Sequence, residues 1–290
     1  MKPIVYHTDA ITPESLVQAY QKLGCTPTGR VAVKISTGEP GPRGGNWLDP
    51  ALIKDLVQLV DGTIVESNTA YDGKRLHTDD HRQVAVDHGY TEIADVDILD
   101  ADGTMDLPTR PGGHLDRDIV GTHVDNYDFV IILSHFKGHI MGGFGGAVKN
   151  TSIGMASSDG KMNIHSAGAV TSVDAGWTSA EQDDFLESMA EAAQAVADHF
   201  DGRICYINVA NKISVDCDCD GNAAPPSMAD LGVFASLDPV AVDKAVTDKI
   251  WAAPDSAEVI ERIESRHGLH TLEHAEKLGL GSQEYDLVTF

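Results

Sequence analysis

The chain has 290 residues, 42% of them hydrophobic, so it is long enough to bury a large core as one α/β domain or as two smaller ones. Its 45 acidic and 21 basic residues give a formal net charge of -24, which repels the phosphates of nucleic acids and the surfaces of anionic membranes. Because the N-terminus lacks the apolar run of a signal peptide and no later stretch resembles a membrane span, we expect a cytoplasmic protein without nucleic-acid or membrane partners.

Runs of β-branched residues alternate along the chain with segments of helical periodicity. This pattern is typical of a mostly parallel sheet covered by helices in Rossmann-like layers. The predicted strands are residues 4–7, 31–35, 63–66, 129–134 and 203–209. Because the sequence contains no internal repeat and no low-complexity tract, we expect one continuous α/β domain over residues 1–290.

Helix starts are predicted at Thr12, Asp49 and Asp238, where a capping side chain precedes a proline at the first helical position. Thr78 is the predicted cap of the next helix, and Gly89 its left-handed stop. The predicted helices without a proline start are residues 78–88, 179–199, 256–266 and 271–278. Residues 95–125, rich in Asp, Gly and Pro, predict a surface excursion or a hairpin.

Residues 129–134 form the most hydrophobic run of the chain and predict a central strand buried on both faces. The segment that follows lies at the carboxyl edge of the sheet, where open α/β folds bind their ligands. Lys34 and residues 66–69, which end two other strands, are expected to reach the same rim.

That segment contains a cluster of glycines, namely Gly142, Gly143, Gly145 and Gly146. Glycine is favoured where the main chain turns sharply or approaches a ligand closely. A helix beginning at Ala147 would direct its free N–H groups at the contents of the loop, which favours an anion. Lys149 and Val148 do not fit the Walker and dinucleotide-binding patterns. A tight structural turn is the alternative interpretation.

Histidines and lysines flank the glycine cluster. His135, His139, Lys149 and His165 are groups that bind ligands or transfer protons, and together they form a better candidate site than any one of them alone. Lys137 and Lys161 add positive charge in an otherwise acidic chain; they are part of the same segment. This local reversal of sign predicts a small anionic ligand that carries phosphate or carboxylate.

The segment Asp216-Cys217-Asp218-Cys219-Asp220 alternates acid and thiol. If it is extended, both sulfurs point to one side and the carboxylates to the other. Nearby carboxylates disfavour thiolates unless a cation offsets the repulsion, so Cys217 and Cys219 are predicted metal ligands. His165 is our first choice to complete the shell of a zinc-like or nickel-compatible site. A pair of inert or redox-linked thiols is the alternative.

The stretch Lys-Gly-His-x-x-Gly-Gly-Phe-Gly-Gly-Ala-x-Lys-Asn at residues 137–150 resembles the DUF362 family of uncharacterised proteins. The resemblance extends to Cys217-Asp-Cys219 and to residues 270–281, and it covers nearly the whole chain. Many relatives carry an inserted ferredoxin module with Cys-x-x-Cys-x-x-Cys runs. This sequence has no such run, so no iron–sulfur cluster of the ferredoxin type is expected.

The glycine-rich segment is also similar to one in the nickel-pincer lactate racemases. In those enzymes a histidine precedes the glycine turn, a following lysine holds the nucleotide-derived nickel cofactor, and a later histidine binds the metal. His139, Lys149 and His165 match these positions, so the resemblance implies an acid/base histidine, a cofactor anchor and a metal ligand, respectively. The Thr-Gly-x-His-Arg motif of the racemases is absent, and residues 69–75 stand in its place.

These patterns predict a protein that binds a small anionic ligand at residues 138–150, near a transition metal such as zinc, nickel or iron. Histidine acid/base chemistry next to a carbonyl group would suit such a site. The competing hypotheses are a non-catalytic protein for metal binding, delivery or assembly, and a binding protein for an acidic metabolite without a metal. The sequence leaves open whether the protein is an enzyme.

Overall fold

The computed structural model describes residues 2–41 and 46–290. Its strands are β1 (Ile4–Thr8), β2 (Val31–Lys34), β3 (Gly62–Glu66), β4 (Val96–Ile98), β5 (Thr104–Pro108), β6 (Arg117–Gly121), β7 (Phe129–His135), β8 (Lys137–His139), β9 (Gly143–Gly145), β10 (Ile204–Ala210), β11 (Gly232–Ser236) and β12 (Asp286–Thr289). Its helices are α1 (Pro13–Lys22), α2 (Pro50–Leu59), α3 (Thr78–Asp87), α4 (Ala147–Thr151), α5 (Ser158–His165), α6 (Gln182–Phe200), α7 (Pro239–Ala252), α8 (Ala257–Ser265) and α9 (His270–Leu278). Short 3₁₀ helices cover Tyr90–Glu92, Thr122–Asn126 and Val173–Ala175.

The main sheet has 8 strands in the order β12-β1-β11-β10-β7-β2-β3-β4. From β10 to β4 the neighbouring strands are parallel, so their carboxyl ends lie at one edge. Strand β11 is antiparallel to both of its neighbours, and β12 pairs in parallel with β1. The predicted α/β fold with a mostly parallel sheet is confirmed.

Strand β7 is buried along its whole length, as its sequence predicts. Val130 and Ile132 contribute to the core that also contains buried residues of α4, α6, α7, α8 and α9. Ile131 and Leu133 point to the opposite face and join the core formed with α1 and α2. Helices therefore cover both faces of the sheet, which is the usual environment of a central parallel strand.

The predicted helix starts are confirmed at Thr12, Asp49 and Asp238, whose side chains accept hydrogen bonds from backbone N–H groups of α1, α2 and α7. The prediction for α3 is wrong by one residue: the helix begins at Thr78, with His77 before it. The Thr78 hydroxyl instead accepts a hydrogen bond from the Asn68 side chain at 2.9 Å.

Residues 95–125 contain the predicted hairpin, formed by the antiparallel strands β5 and β6. The same region also supplies β4, which pairs with β3 at the edge of the main sheet. None of the helices in the described part of the chain combines the length and the apolar character needed to cross a bilayer.

Helix α4 is fixed to the sheet by the buried carboxylate of Asp243, which belongs to α7. One Asp243 oxygen accepts hydrogen bonds from the Ala147 N–H and the Asn208 side chain, both at 2.7 Å. The other oxygen accepts from the Val148 N–H at 2.9 Å. Burial raises the pKa of Asp243 to about 6, although these three donors favour the ionised form. One side chain thus joins α4, α7 and β10.

We predict that Asp243→Ala destabilises the protein strongly. The substitution leaves buried donors on Ala147, Val148 and Asn208 without their acceptor, and each such loss costs about 1 to 3 kcal/mol. We expect the free energy of unfolding, measured by urea denaturation, to fall by about 3 kcal/mol or more. The control is Asp79→Ala on α3, where the carboxylate is exposed and the change should stay within about 0.5 kcal/mol. Equal effects of the two variants would contradict the prediction.

Candidate functional site

A cavity of about 390 Å³ opens at the carboxyl edge of the parallel strands. Its wall includes Lys34 from β2, Glu66 from β3 and His135 from β7, together with the glycine-rich segment, α5 and the turn after β10. Its other chemically active side chains are those of Arg75, Lys137, His139, Lys149, Lys161, His165, Cys217, Asp218 and Cys219. The histidines, the lysines and the cysteine pair proposed from the sequence therefore line one cavity.

The glycine-rich segment forms a small antiparallel hairpin, β8–β9, followed directly by α4. We expected the first N–H groups of this helix to face a ligand. Instead, those of Ala147 and Val148 donate to Asp243, so the anion at the helix start belongs to the chain itself. The expectation of an anion site at these N–H groups is wrong, because the capping carboxylate comes from a distant helix.

The four glycines do not share one role. Gly143 has φ +78°, and a Cβ atom there would lie 2.8 Å from the Gly268 Cα, so packing against another loop requires glycine. Gly145 and Gly146 lie in the cavity wall, whereas Gly142 and Gly143 are not among the residues that line it. For Gly142 and Gly143, the structure favours the alternative of a tight structural turn over the predicted cofactor contact.

His139 is buried and neutral, with its ring proton on Nε2. Its Nδ1 accepts hydrogen bonds from the N–H groups of Met141, at 3.2 Å, and Gly142, at 2.9 Å. Burial holds the pKa of His139 well below its usual range, and the positive charge of Lys149 lowers it further. Since Nδ1 accepts, the neutral ring must carry its proton on Nε2, which makes that atom a hydrogen-bond donor.

His165 has the opposite tautomer. Its Nδ1 lies 2.7 Å from the Lys161 carbonyl oxygen and donates to it, which leaves a lone pair on Nε2. Burial lowers the pKa of His165 to about 4. The ring is held between Trp177 and Phe185, with each ring centroid 4.8 Å away. His165 is therefore a fixed acceptor or base in the cavity wall.

Two lysines of the cavity wall, the half-buried Lys149 and the buried Lys161, form no ion pair with an acidic residue of the described ranges. Lys149 forms no hydrogen bond or ion pair with residues 2–41 or 46–290, and Lys161 donates only to the Ala156 carbonyl oxygen, at 2.5 Å. Burial lowers the pKa of each lysine to about 8; nearby cations add to this shift, whereas the carboxylate of Glu66 and, for Lys161, that of Asp100 oppose it. Both amines are still largely charged at neutral pH, so the cavity can attract an anion.

A second pair of cations, Lys34 and Arg75, lies close to the carboxylate of Glu66, at 3.5 and 3.6 Å respectively. Arg75 also contacts Glu39 at 3.1 Å. Burial opposes ionisation of Glu66, but Lys34 and Arg75 lower its pKa to about 2. The expected convergence of Lys34 and Glu66 on the rim is confirmed, and these charges are largely balanced among themselves.

Asp218 anchors the turn that follows β10. Its buried carboxylate contacts the Lys137 ammonium group and lies 2.9 Å from Nδ1 of His135. Its carbonyl oxygen accepts the N–H of Glu39 at 2.7 Å. Although burial opposes ionisation, His135 and Lys137 lower the pKa of Asp218 to about 2. His135 and Lys137, predicted to face a ligand, instead mainly hold this turn in place.

The cysteine segment is a turn rather than the extended strand we expected. The Asp220 N–H donates to the Cys217 carbonyl oxygen at 3.1 Å, and Cys217 and Cys219 form a disulfide. The predicted separation of sulfurs from carboxylates therefore fails, because the backbone reverses here. The alternative of redox-linked thiols describes the bridged state.

The two sulfurs lie beside His139 and not beside our first choice, His165. The His139 ring and the two Sγ atoms offer ligand atoms within 4.8 Å of one another, and no other such group of three occurs in the described ranges. Two cysteines and one histidine match the donors of zinc sites that keep a position open. Sulfurs joined in a disulfide carry no thiolate charge, so this donor set fits a metal only after reduction.

Sequence reasoning missed three further residues. Asn150 accepts from Lys34 Nζ at 3.0 Å and donates to the Ser134 hydroxyl at 3.2 Å, which ties α4 to two strand ends. The Trp177 ring packs against the ring of His165. The Asp218 carboxylate pairs with Nδ1 of His135 in the cavity wall. Only Asp218 gave a signal, since it lies between the two cysteines.

The fold is similar to that of the lactate racemase apoprotein from Thermoanaerobacterium thermosaccharolyticum, with a TM-score of 0.51 and 13% sequence identity over 85% of this chain and 56% of that protein. A protein from Thermotoga maritima matches 91% of this chain and 58% of its own length, with 10% identity and a TM-score of 0.44. This chain thus spans less than two thirds of the length of either protein. At 13% identity, the similarity to the lactate racemase apoprotein concerns the fold alone.

No curated protein matches the sequence. The model of one protein family, described as a domain of unknown function, matches residues 31–248. This range contains the glycine-rich segment, α5 and the cysteine pair, and it comprises most of the chain. The protein belongs to the DUF362 family, as the motif at residues 137–150 predicts.

Proposed function

We propose that this protein binds a small organic anion in the cavity, with a phosphate or carboxylate group held by Lys149 and Lys161. The observation that carries the proposal is that two lysines of the cavity wall, the half-buried Lys149 and the buried Lys161, lack an ion pair among the described residues. Lys34, Arg75 and Lys137 contact carboxylates, whereas Lys149 and Lys161 form no ion pair within the described ranges. A buried cation without a counter-ion is unfavourable, so a ligand anion would supply the missing charge.

The contrast with the rest of the molecule supports this function. The chain carries a formal net charge of -24, yet the cavity wall contains five basic side chains, Lys34, Arg75, Lys137, Lys149 and Lys161, against three acidic ones, Glu66, Asp218 and Asp220. An overall acidic composition gives no reason for lysines to line a cavity, whereas a specific anionic ligand gives one. The same charge disfavours nucleic acid, and we propose a small molecule in the cytoplasm as the partner.

The chemistry we propose is proton transfer at a carbon next to the anionic group. His139 offers an Nε2–H donor and His165 an Nε2 lone pair, because their other nitrogens are engaged by the backbone. His165 can take up the proton and return it, while the neutral N–H of His139 stabilises by hydrogen bonding the negative charge that develops on an oxygen of the substrate. The similar fold of a lactate racemase, an enzyme named for a small carboxylate, agrees with this substrate class.

We predict that Lys149→Met weakens anion binding without destabilising the protein. The methionine keeps most of the length of the side chain but removes its charge, so affinity for phosphate and L-lactate, measured by calorimetry, should fall about tenfold or more. The ligand-free protein should be as stable or more stable, since a half-buried cation without an ion pair is lost. The control is Lys54→Met, which removes an exposed lysine from α2.

The same experiment has a defined pH dependence. Burial lowers the pKa of Lys149 to about 8, so the amine loses its charge as the pH rises through this value. Anion affinity of the natural protein should therefore decline between about pH 7 and 9, and Lys149→Met should decline less, because only Lys161 still titrates there. Unchanged affinity in the variant at pH 7 would refute the role of Lys149.

A separate prediction concerns the two histidines. Nitrogen-15 NMR of protein labelled at histidine should show the proton of His139 on Nε2 and that of His165 on Nδ1. His139→Gln and His165→Gln assign the signals. Both rings should be neutral at pH 7, because burial lowers the pKa of His165 to about 4 and that of His139 well below its usual range. Identical tautomers, or a doubly protonated ring, would rule out the acid/base pair.

A second candidate function is the binding of a transition metal, with or without turnover. Cys217, Cys219 and His139 would hold the ion, and His165 is the other histidine of the cavity with a free lone pair. Zinc, nickel or iron would accept such donors. A bound metal would polarise a carbonyl group as a Lewis acid. Binding through Nε2 would require the His139 ring proton to move to Nδ1, at the expense of the hydrogen bonds from Met141 and Gly142, and the two thiols should release their protons when the metal binds.

We predict that the reduced protein binds one cobalt(II) ion with a thiolate-to-cobalt charge-transfer band, because two thiolates become available. Cys217→Ser should lose the band and bind at least about tenfold more weakly, since one of the thiolates is removed. Cys25→Ser, which removes a thiol remote from this ligand set, is the control. Absence of the band from the natural reduced protein would eliminate the metal function and leave anion binding to be judged by calorimetry.

A further inference from the structure

The disulfide between Cys217 and Cys219 is placed where a crosslink stabilises a fold least. Disulfides act mainly by restricting the unfolded chain, and the effect grows with the length of the closed loop. These cysteines have a sequence separation of only 2. Both line the cavity and neither is fully buried, in contrast to Cys205 in the core. The position indicates a chemical rather than a structural role.

The turn keeps its shape through contacts that do not involve sulfur. Asp218, between the two cysteines, is paired with His135 and Lys137. Asp216, the residue before Cys217, accepts a hydrogen bond from the Arg262 guanidinium at 3.0 Å. Cleavage of the sulfur–sulfur bond would leave these contacts intact, so both thiols would remain in the cavity wall.

The two sulfurs are not equivalent. The Cys219 N–H donates to Cys217 Sγ at 3.2 Å. A hydrogen bond of this kind favours a thiolate at Cys217 and makes it the better leaving group. An incoming thiolate would therefore attack Cys219 Sγ. This geometry gives the exchange reaction a direction.

We propose that Cys217 and Cys219 form a reversible thiol–disulfide site that reacts with small thiols entering the cavity. A thiolate bonds to Cys219 Sγ, the bond between the cysteine sulfurs breaks, and Cys217 leaves as a thiolate. A second small thiolate then attacks the sulfur of the first one in the mixed disulfide. The two small thiols leave as a disulfide, and Cys219 is released as a thiolate. In sum, two small thiols are oxidised to one disulfide, and the cysteine pair takes up two electrons and two protons.

The redox state would also control the proposed metal site. In the reduced form, the two sulfurs and His139 supply a soft donor set, whereas the disulfide supplies none. Reduction should therefore precede metal binding, and a bound metal should protect the pair from oxidation. This step of the inference rests on the proposed metal function, while the exchange reaction does not.

The test uses the full chain equilibrated in glutathione buffers of different redox ratios. Thiols are counted after acid quenching and denaturation. The chain has 4 cysteines, of which Cys25 and Cys205 are free thiols. We expect a reversible transition between two and four thiols per chain, with an unchanged circular dichroism spectrum. The cobalt band should appear only in the four-thiol form.

Two variants test whether the transition belongs to Cys217 and Cys219. Cys25→Ser should shift between one and three thiols with the same midpoint, whereas Cys219→Ser should show no two-thiol transition, because its single Cys217 thiol can only form a mixed disulfide with glutathione. Four thiols at every ratio, or a bridge that glutathione opens only in denaturant, would overturn the exchange reaction. Equal cobalt bands in both forms would overturn redox control. A normal thiol transition without cobalt binding in either form would support the exchange and eliminate the metal function.

Discussion

The site depends on the attachment of the glycine-rich segment to the sheet through one buried carboxylate. Asp243 accepts the first N–H groups of α4 and so fixes the helix that carries Lys149 and Asn150. Asn150 then bonds to the side chains of Lys34 and Ser134 at the ends of β2 and β7. Two polar side chains, Asp243 and Asn150, thus set the position of the lysine that we assign to the ligand, and none of their four hydrogen bonds requires the ligand to be present.

Some side chains of the cavity wall lower the stability of the ligand-free protein. Lys34 and Arg75 are paired with acidic side chains, but Lys149 and Lys161 form no ion pair within the described ranges, and burial lowers the pKa of both. A protein selected only for stability would replace an unpaired buried lysine by an apolar residue. Retention of this charge is understandable if binding of an anion restores the balance, which makes the local electrostatic conflict itself a sign of function.

The general architecture could be predicted from the sequence because strand patterns and helix caps are local. The burial of β7 follows from its own residues. Because parallel strands end at one edge of the sheet, the sequence also places Lys34, Glu66 and His135 at the same rim, where they line one cavity. Partners distant in the chain could not be predicted. Asp243 lies 96 residues from Ala147, so the capping of α4 was wrongly assigned to a ligand. The choice of His165 as the partner of the cysteines failed for the same reason, since the path of a turn decides which ring is near.

His139 connects the two proposed functions. Its ring lies within 4.8 Å of the cysteine sulfurs, and the charge of Lys149 acts on it, so it neighbours both the thiols and the proposed anion site. An anion would accept a hydrogen bond from its Nε2–H, whereas a metal ion would require that proton to leave. Both ligands therefore act on the same proton, and the affinity for one must depend on the presence of the other, by reciprocal amounts. If reduction of the cysteines permits metal binding, the redox state of the pair therefore changes the affinity for the anion, and it does so through the His139 imidazole.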